Sequence, residues 1–274
     1  MIRFVLVLAA CVLSLAACGG GSDGGAPATT AKTFKISMYG NPLVSSRVAA
    51  HAQTIASVAA AASDATPPAA AQTTVQSLQD ALAARGVTAT VTAQVMDGTT
   101  LHQIVMGENN GLPPTPDQFK SDPSEWILVN FQLDDMVSRV DVPTQAAAIQ
   151  QFIQDLTVFT QRAAVSGKGV YAVQPIQTCD APSGFSASSG LQYALTQALQ
   201  KSGLTIVGAI PFGVSYDAFG DPIMTPDMAH LGADCRTPDD YLRNLQVQAI
   251  ADRIADLYKA SPAAAPSGAS ATGT

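Results

Sequence analysis

The sequence predicts an α/β fold, a three-layer α/β/α sandwich built on a parallel five-stranded sheet. Short β-branched or apolar runs alternate along the chain with longer segments whose apolar residues recur at helical spacing. One short run, residues 125–131 (EWILVNF), is almost continuously apolar, as expected of a parallel strand that is covered on both faces. Alternation of this kind places a parallel sheet between two layers of helices.

The first half of the chain supplies two predicted strands. Residues 33–39 (TFKISMY) are rich in β-forming side chains, and residues 87–95 (VTATVTAQV) alternate in the period of a strand. The stretch between them is rich in alanine and is predicted to be helical from Leu43, with a break at 63–71 and an end at Gly86.

The second half predicts three more strands, at residues 125–131, 169–176 and 204–210. Helical spacing predicts helices between and after these strands, at residues 144–167, residues 188–203 and from about Pro238 to Ala260. Each predicted strand is therefore followed by a segment long enough to cross back over the sheet.

The N-terminus predicts export. Residues 1–17 hold one basic residue, Arg3, and an apolar run too short to span a bilayer comfortably, as in a secretory signal peptide. An ordinary signal cleaved near Ala17 and a transmembrane helix are the alternatives. By composition we expect a flexible tether, then a folded domain, then a disordered tail, at residues 18–32, 33–260 and 261–274.

The end of the apolar run, Leu15-Ala16-Ala17-Cys18, resembles the signal of bacterial lipoproteins, in which the cysteine becomes the lipidated first residue. The resemblance implies a lipid anchor on Cys18, and Gly19 after it implies sorting to the outer membrane. We therefore expect a lipoprotein of the bacterial cell envelope that faces the periplasm or the cell surface.

Charge bears on which partners the chain can bind, and cysteine content bears on disulfide formation. The chain has 14 Lys and Arg against 21 Asp and Glu, a formal net charge of −7. Because it is acidic and has no cluster of basic residues, we expect no nucleic-acid partner. Outside the signal and the lipid site two cysteines remain, Cys179 and Cys235, and an even pair in an exported chain predicts a disulfide.

Ligands of parallel sheets bind at the carboxyl ends of the strands. The loops expected there carry four short motifs: YGNPL (39–43), MDGTT (96–100), QLDDM (132–136) and, before the last helix, TPDMAHLG (225–232). In order and spacing these motifs resemble the SGNH or GDSL-type hydrolases, over roughly residues 35–258. The resemblance implies a flavodoxin-like sheet and an esterase for acyl or acetyl esters, and we expect no cofactor.

In that family a serine of the first block is the nucleophile, and a histidine of the last block is the base, oriented by an aspartate three residues earlier. Asp227 and His230 match this last block by position, and Gly40 and Leu43 match the frame of the first. The family's oxyanion hole uses the backbone N–H of the first block, the N–H of a turn glycine, matched by Gly98, and an asparagine side chain of the third block.

Two positions depart from the family pattern. Pro42 stands where the serine is expected, and proline has neither a hydroxyl nor a backbone N–H. Asp135, preceded by Asp134, falls at or beside the asparagine position, where a carboxylate would repel a developing oxyanion. Two of three oxyanion donors are therefore expected to be lost, and a triad without its serine loses on the order of a millionfold in turnover.

Three alternatives stay open. Ser45 or Ser46 could replace the nucleophile from about one helical turn further on. The stretch GNP could simply begin a helix, with Asn41 as the N-cap and Pro42 as the first helical residue. Oxygen ligands and one imidazole also suit a divalent ion. The candidate ligands are Asp134, Asp135, Asp227 and His230.

We therefore expect an SGNH-like envelope lipoprotein with weak or absent esterase activity, in which Asp227 orients His230. The alternatives are a non-catalytic protein that binds an envelope glycan, a lipid or a protein partner, and an active esterase that uses Ser45 or Ser46. His51 and His102 are assigned no role.

Overall fold

Five short β-forming segments pair in parallel in the computed structural model, which describes residues 33–44, 69–108, 110–131 and 142–261. The strands are β1 (Phe34–Gly40), β2 (Ala89–Val95), β3 (Trp126–Asn130), β4 (Gly169–Val173) and β5 (Thr205–Val207). Their order in the sheet is β2-β1-β3-β4-β5, which is the flavodoxin-like order. The predicted fold class is confirmed.

Helices follow the strands along the chain. The described helices are α1 (Ala69–Ala83), α2 (Leu101–Met106), α3 (Val142–Val165), α4 (Ala187–Ser202), a 3₁₀ helix (Pro226–Leu231) and α5 (Asp240–Ala260). The sequence did not predict α2 or the 3₁₀ helix, because each is only six residues long and shows too few turns of periodicity. None of the described helices is long and apolar enough to cross a bilayer.

Both faces of the sheet are buried. Ile127 and Val129 of β3 pack into one apolar cluster with α2, α3 and α4, whereas Leu128 between them packs into a second cluster with α1 and α5. Successive side chains of a strand point to opposite faces, so a strand covered on both sides needs apolar residues at every position. The uninterrupted run at 125–131 has this cause.

The last two strands are shorter than predicted. β4 ends at Val173, two residues before Pro175, which has no N–H to donate to a neighbouring strand. β5 ends at Val207 because α5 crosses there: a Cβ on Gly208 would lie 2.7 Å from the Ile250 side chain. The residues beyond these ends form loops at the carboxyl edge of the sheet.

Cys179 and Cys235 form the predicted disulfide, with 5.1 Å between their Cα atoms and a sequence separation of 56. The backbone N–H of Cys179 also donates to the carbonyl of Cys235, at 2.9 Å. The loop after β4 is thus joined to the segment between the 3₁₀ helix and α5. Cys18, the expected lipid site, lies outside the described residues.

Candidate active site at the carboxyl edge of the sheet

The turn that follows β1 is fixed against the end of β3. Gly40 has a φ of +94°, and a Cβ there would lie 2.6 Å from the carbonyl oxygen of Asn130, so only glycine fits. The N–H of Asn41 donates to that same oxygen at 2.7 Å, and the Asn130 side chain donates to the Asn41 carbonyl at 2.7 Å. The two asparagines therefore hold the turn in one position.

The remaining N–H groups of this turn are also occupied. Those of Leu43 and Val44 both donate to the hydroxyl of Thr74, a fully buried residue of α1, at 3.0 and 3.2 Å. Pro42 has no N–H. Every backbone donor from residue 41 to residue 44 is therefore engaged or absent, and the turn offers none to an oxyanion.

The prediction of a helix that starts at Pro42 is wrong over the described residues. Residues 41–44 form an irregular turn, and Thr74 binds N–H groups that a helix would leave open at its first turn. A contact with a residue distant in sequence has overridden the local preference of Asn41 and Pro42 for a helix start. Ser45 and Ser46, the alternative nucleophiles, lie outside the described residues.

Gly98 follows β2, the neighbour of β1, and so lies at the same edge of the sheet. The loop is closed by Asp97, whose carboxylate accepts hydrogen bonds from the hydroxyl and the N–H of Thr99, at 2.5 and 3.1 Å. The Thr99 hydroxyl bond is the main reason that the pKa of Asp97 lies below its ordinary value. The Gly98 N–H has no partner among the described residues, so this candidate oxyanion donor is available.

His230 lies in the 3₁₀ helix at the carboxyl edge, close to the ends of β4 and β5. Met228 and Leu231, on either side of it, are buried in a small apolar cluster with Ile176 and Cys179 from the loop after β4. The disulfide closes the same cluster. The structure thus brings His230 and the Pro42 turn to one edge of the sheet, after strands β4 and β1, which flank β3.

The carboxylate partner of His230 is Asp239, not Asp227. The Nδ1 atom of His230 lies 2.7 Å from Oδ2 of Asp239, and the backbone N–H of Asp239 donates to the His230 carbonyl at 2.8 Å. Asp227 is exposed and makes no hydrogen bond to His230 among the described contacts. The expected role of Asp227 is therefore corrected, because the chain folds back after the 3₁₀ helix and places Asp239 beside the imidazole.

A second interaction, with the first turn of α5, holds Asp239 in this position. It is the N-cap of α5, and its Oδ1 atom accepts the N–H of Leu242 at 3.1 Å. Burial opposes the charged form, but the hydrogen bonds from His230 and the Leu242 N–H outweigh it and lower the pKa of Asp239. The signal in the sequence was the pair Asp239-Asp240 before an apolar periodic run, which is typical of a helix N-cap.

The ring of His230 is partly exposed and stacks obliquely on Tyr241, with 4.5 Å between ring centroids. Its Nε2 atom has no partner among the described residues. A histidine with Nδ1 on a carboxylate and Nε2 free has the hydrogen-bond arrangement that a general base requires. The His230 imidazole shows this arrangement, and the described residues of the β1 turn, 41–44, include no serine.

The structure contains a second histidine and carboxylate pair, which the sequence did not indicate. His102 in α2 lies 3.0 Å from the buried carboxylate of Asp155 in α3, and Gln151 donates to both oxygens of that carboxylate, at 3.1 Å each. The pair joins two neighbouring helices, and among the described residues its two members form hydrogen bonds to each other and to Gln151. We assign it to helix packing.

Asp134 and Asp135, candidates for the oxyanion position and for a metal site, lie outside the described residues. Within the described ranges, no group of three or more His, Cys, Asp or Glu side chains is arranged to hold a metal ion. The two remaining ligand candidates, Asp227 and His230, make no hydrogen bond to each other.

Removing the Asp239 carboxylate is expected to destabilise the domain by about 1 kcal/mol at pH 7, the usual cost of losing an N-cap. Because the folded state lowers the pKa of Asp239, its contribution is complete above the unfolded pKa of about 4 and disappears as the pH falls through the folded value. Urea unfolding of Asp239→Ala at pH 7 and at pH 3 measures both effects. The matched control is Asp227→Ala, expected within about 0.5 kcal/mol of wild type. Equal losses in the two variants would contradict the assignment.

Comparisons with known proteins give likeness of fold only. No family model matches the chain, and no curated protein sequence matches it. Among solved structures it is similar to a candidate SGNH hydrolase from Slackia heliotrinireducens, at 16% identity and a TM-score of 0.47 over 81% of this chain and 100% of the other.

Two enzymes show the same degree of similarity. LAE5, an α/β hydrolase from the metagenome of Lake Arreo, is 15% identical with a TM-score of 0.48, over 82% of this chain and 95% of the other. The psychrotrophic esterase EstA from Pseudoalteromonas sp. is 12% identical with a TM-score of 0.49, over 82% and 98%. The chain is thus similar in fold to SGNH hydrolases and esterases, at identities of 12–16%.

Proposed function

We propose that this chain binds a ligand at the carboxyl edge of its sheet and has weak or absent esterase activity. The observation that carries the proposal is the hydrogen bonding of the β1 turn. The N–H of Asn41 is bound to Asn130, those of Leu43 and Val44 are bound to Thr74, and Pro42 has none. Residues 41–44 of this turn therefore have neither a hydroxyl nor an unbound N–H group to serve as nucleophile or oxyanion donor.

Ester hydrolysis through a serine depends on two features of such a turn. The hydroxyl attacks the carbonyl carbon, and N–H donors already in position stabilise the negative charge that develops on oxygen. Removing one such donor alone costs roughly 100- to 1,000-fold in turnover. With the Gly98 N–H as the one candidate donor free in the described residues, hydrolysis through this turn is expected to be slight.

The ligand we expect is an acyl ester, a glycan or a lipid of the cell envelope. Support for the location comes from the lipoprotein-like sequence that ends at Cys18 and from the small, polar residues 18–32 after it. A lipid on Cys18 would anchor the folded domain to a membrane, and the acidic chain disfavours electrostatic attachment to anionic lipids. We place the protein at the outer membrane.

One observation favours a second candidate, a slow esterase. His230 retains a carboxylate partner at 2.7 Å and a free Nε2 atom, which is the arrangement of a general base. Such a base could activate Ser45, Ser46 or a water molecule. This candidate predicts a measurable rate that depends on His230.

Hydrolysis of p-nitrophenyl acetate and butyrate by the purified protein, without residues 1–17, separates the two candidates. We compare wild type with His230→Ala, Ser45→Ala and Ser46→Ala, and use His102→Ala as the matched control because His102 also pairs with an aspartate. The proposal predicts values of kcat/KM within about threefold of one another, since each variant would show only background hydrolysis.

A loss of a hundredfold or more in His230→Ala, with His102→Ala unchanged, would overturn the proposal in favour of the slow esterase. A matching loss in Ser45→Ala or Ser46→Ala would then identify the nucleophile. A loss confined to His230→Ala would point to attack by water.

A further inference from the structure

A pocket lies at the amino-terminal edge of the sheet, opposite the candidate active site. It has a volume of about 170 Å³. Its strand side is formed by Phe34, Trp126, Tyr171 and Thr205, of which three begin β1, β3 and β5. Its helix side is formed by the end of α5, through Leu257, Tyr258 and Ser261.

Packing of the aromatic side chains fixes the wall of this pocket. The rings of Trp126 and Tyr171 are stacked almost parallel, with 4.5 Å between centroids and 8° between planes. A Cβ on Gly169 would lie 2.1 Å from the Trp126 ring, so the absence of a side chain at that position lets the indole lie flat on β4. Phe34 and Tyr258, which both line the pocket, contact each other with 5.1 Å between ring centroids.

The lining specifies the chemistry of a ligand. None of the lining residues carries a charge, and the surface is made mainly of aromatic and aliphatic carbon. Of the two aliphatic hydroxyls, that of Ser261 already donates to the Tyr258 carbonyl at 2.7 Å. A charged ligand would lose its hydration here without gaining an oppositely charged partner from the lining, whereas an apolar ligand would bear no such cost.

The volume sets the size. An apolar cavity of about 150 Å³ stays dry and holds a benzene ring. This pocket is partly open to solvent, and its apolar walls lack the contacts that a fitting apolar group would make. We propose that this pocket binds an uncharged apolar group the size of one six-membered ring or a short alkyl chain.

This site is separate from the one at the carboxyl edge. The strands run from the pocket towards the His230 edge, and a five-residue strand such as β3 spans about 17 Å. Binding here therefore does not depend on whether the protein hydrolyses esters. The inference can fail while the proposed function stands, and the reverse also holds.

Trp126 is the single tryptophan of the chain, so its fluorescence reports on this pocket directly. The probe is iodobenzene, a neutral ring whose heavy atom quenches indole emission on contact. We expect saturable quenching of the full chain without residues 1–17. Toluene should compete with the probe, whereas benzoate, the same ring with a carboxylate, should not.

Two threonines on the edge strands give a matched pair of variants. Thr205 of β5 lines the pocket, and Thr90 of β2 is exposed on the other edge strand. Thr205→Phe should fill the pocket and weaken binding of iodobenzene at least tenfold, and Thr90→Phe should leave it unchanged. Leu257→Phe fills the pocket from the helix side and is expected to act like Thr205→Phe, which guards against a folding defect in either variant.

Unsaturable quenching in the wild type, or equal affinity in Thr205→Phe, Leu257→Phe and Thr90→Phe, would overturn the proposal. So would binding that appears only in a variant ending at Ser261, because the segment after that residue would then be the natural occupant. Competition by benzoate as strong as that by toluene would contradict the inferred neutrality of the ligand.

Discussion

Replacing Gly40 with alanine is expected to destabilise the domain by about 3 kcal/mol or more, because the new side chain adds a collision to backbone strain. The residue has a φ of +94°, and its Cβ would lie 2.6 Å from the oxygen and 2.9 Å from the carbon of the Asn130 carbonyl. Both atoms belong to the backbone of β3 and cannot rotate away. The turn would have to move off β3 and lose its two hydrogen bonds to Asn130.

Gly98→Ala is the matched control, since Gly98 has a similar φ of +92° but nothing within 4 Å of the position of its Cβ. It should cost only the strain of the left-handed backbone, about 1 kcal/mol. Urea unfolding monitored by circular dichroism gives both values. Similar losses of stability in the two variants would contradict the close approach of Gly40 to the Asn130 carbonyl.

Replacing Asp122 with alanine is expected to cost about 3–5 kcal/mol, because it breaks a buried ion pair from one side. The carboxylate accepts the hydroxyls of Ser37 at 2.7 Å and Tyr39 at 3.0 Å and the N–H of Ser124 at 2.8 Å, and lies 4.0 Å from the Lys168 ammonium. The side chains of Asp122 and Lys168 are 5% and 6% exposed. Without the carboxylate, the hydroxyls of Ser37 and Tyr39 lose an acceptor in a site that water hardly reaches. The Lys168 ammonium keeps its hydrogen bonds to the backbone carbonyls of Asp122 and Ser124 but loses its buried counter-charge.

The pKa of Tyr39 gives this prediction an independent readout, because it should fall when the Asp122 carboxylate is removed. Burial, and after it the negative charge and hydrogen bond of Asp122, raise the pKa of Tyr39. Denaturation by urea should show the loss of stability in Asp122→Ala, and Asp117→Ala, which alters an exposed carboxylate nearby in sequence, should stay within about 0.5 kcal/mol of wild type. An Asp122→Ala protein as stable as Asp117→Ala would contradict the buried pairing.

The layered architecture could be predicted because strands and helices of this chain keep distinct periods. In β3 the residues Ile127, Leu128 and Val129 face alternate layers and are all apolar, so the run in the sequence already implied helices on both sides. The residues at which the strands end were harder to predict from the sequence. β5 stops where Gly208 meets Ile250 of α5, a contact between residues that no local pattern connects.

The candidate site was predictable in its location and not in its hydrogen bonds. The order of the motifs placed His230 and the Pro42 turn at one edge, because the carboxyl ends of parallel strands share an edge. The carboxylate partner of His230 depended on how the chain folds back after the 3₁₀ helix. That fold places Asp239 beside the imidazole, although Asp227 is nearer in sequence. The N–H groups of the β1 turn are bound by Thr74, which is separated from Leu43 by 31 positions in sequence.

The claim on which the account depends is that no nucleophile is activated beside the β1 turn, and covalent trapping tests it most directly. A fluorophosphonate reacts with an activated serine and adds a mass that can be located by peptide mass spectrometry. We predict no adduct on Ser45 or Ser46 of the wild-type protein under conditions that label an active serine esterase completely. A stoichiometric adduct on either serine, absent from His230→Ala and present in His102→Ala, would contradict the account.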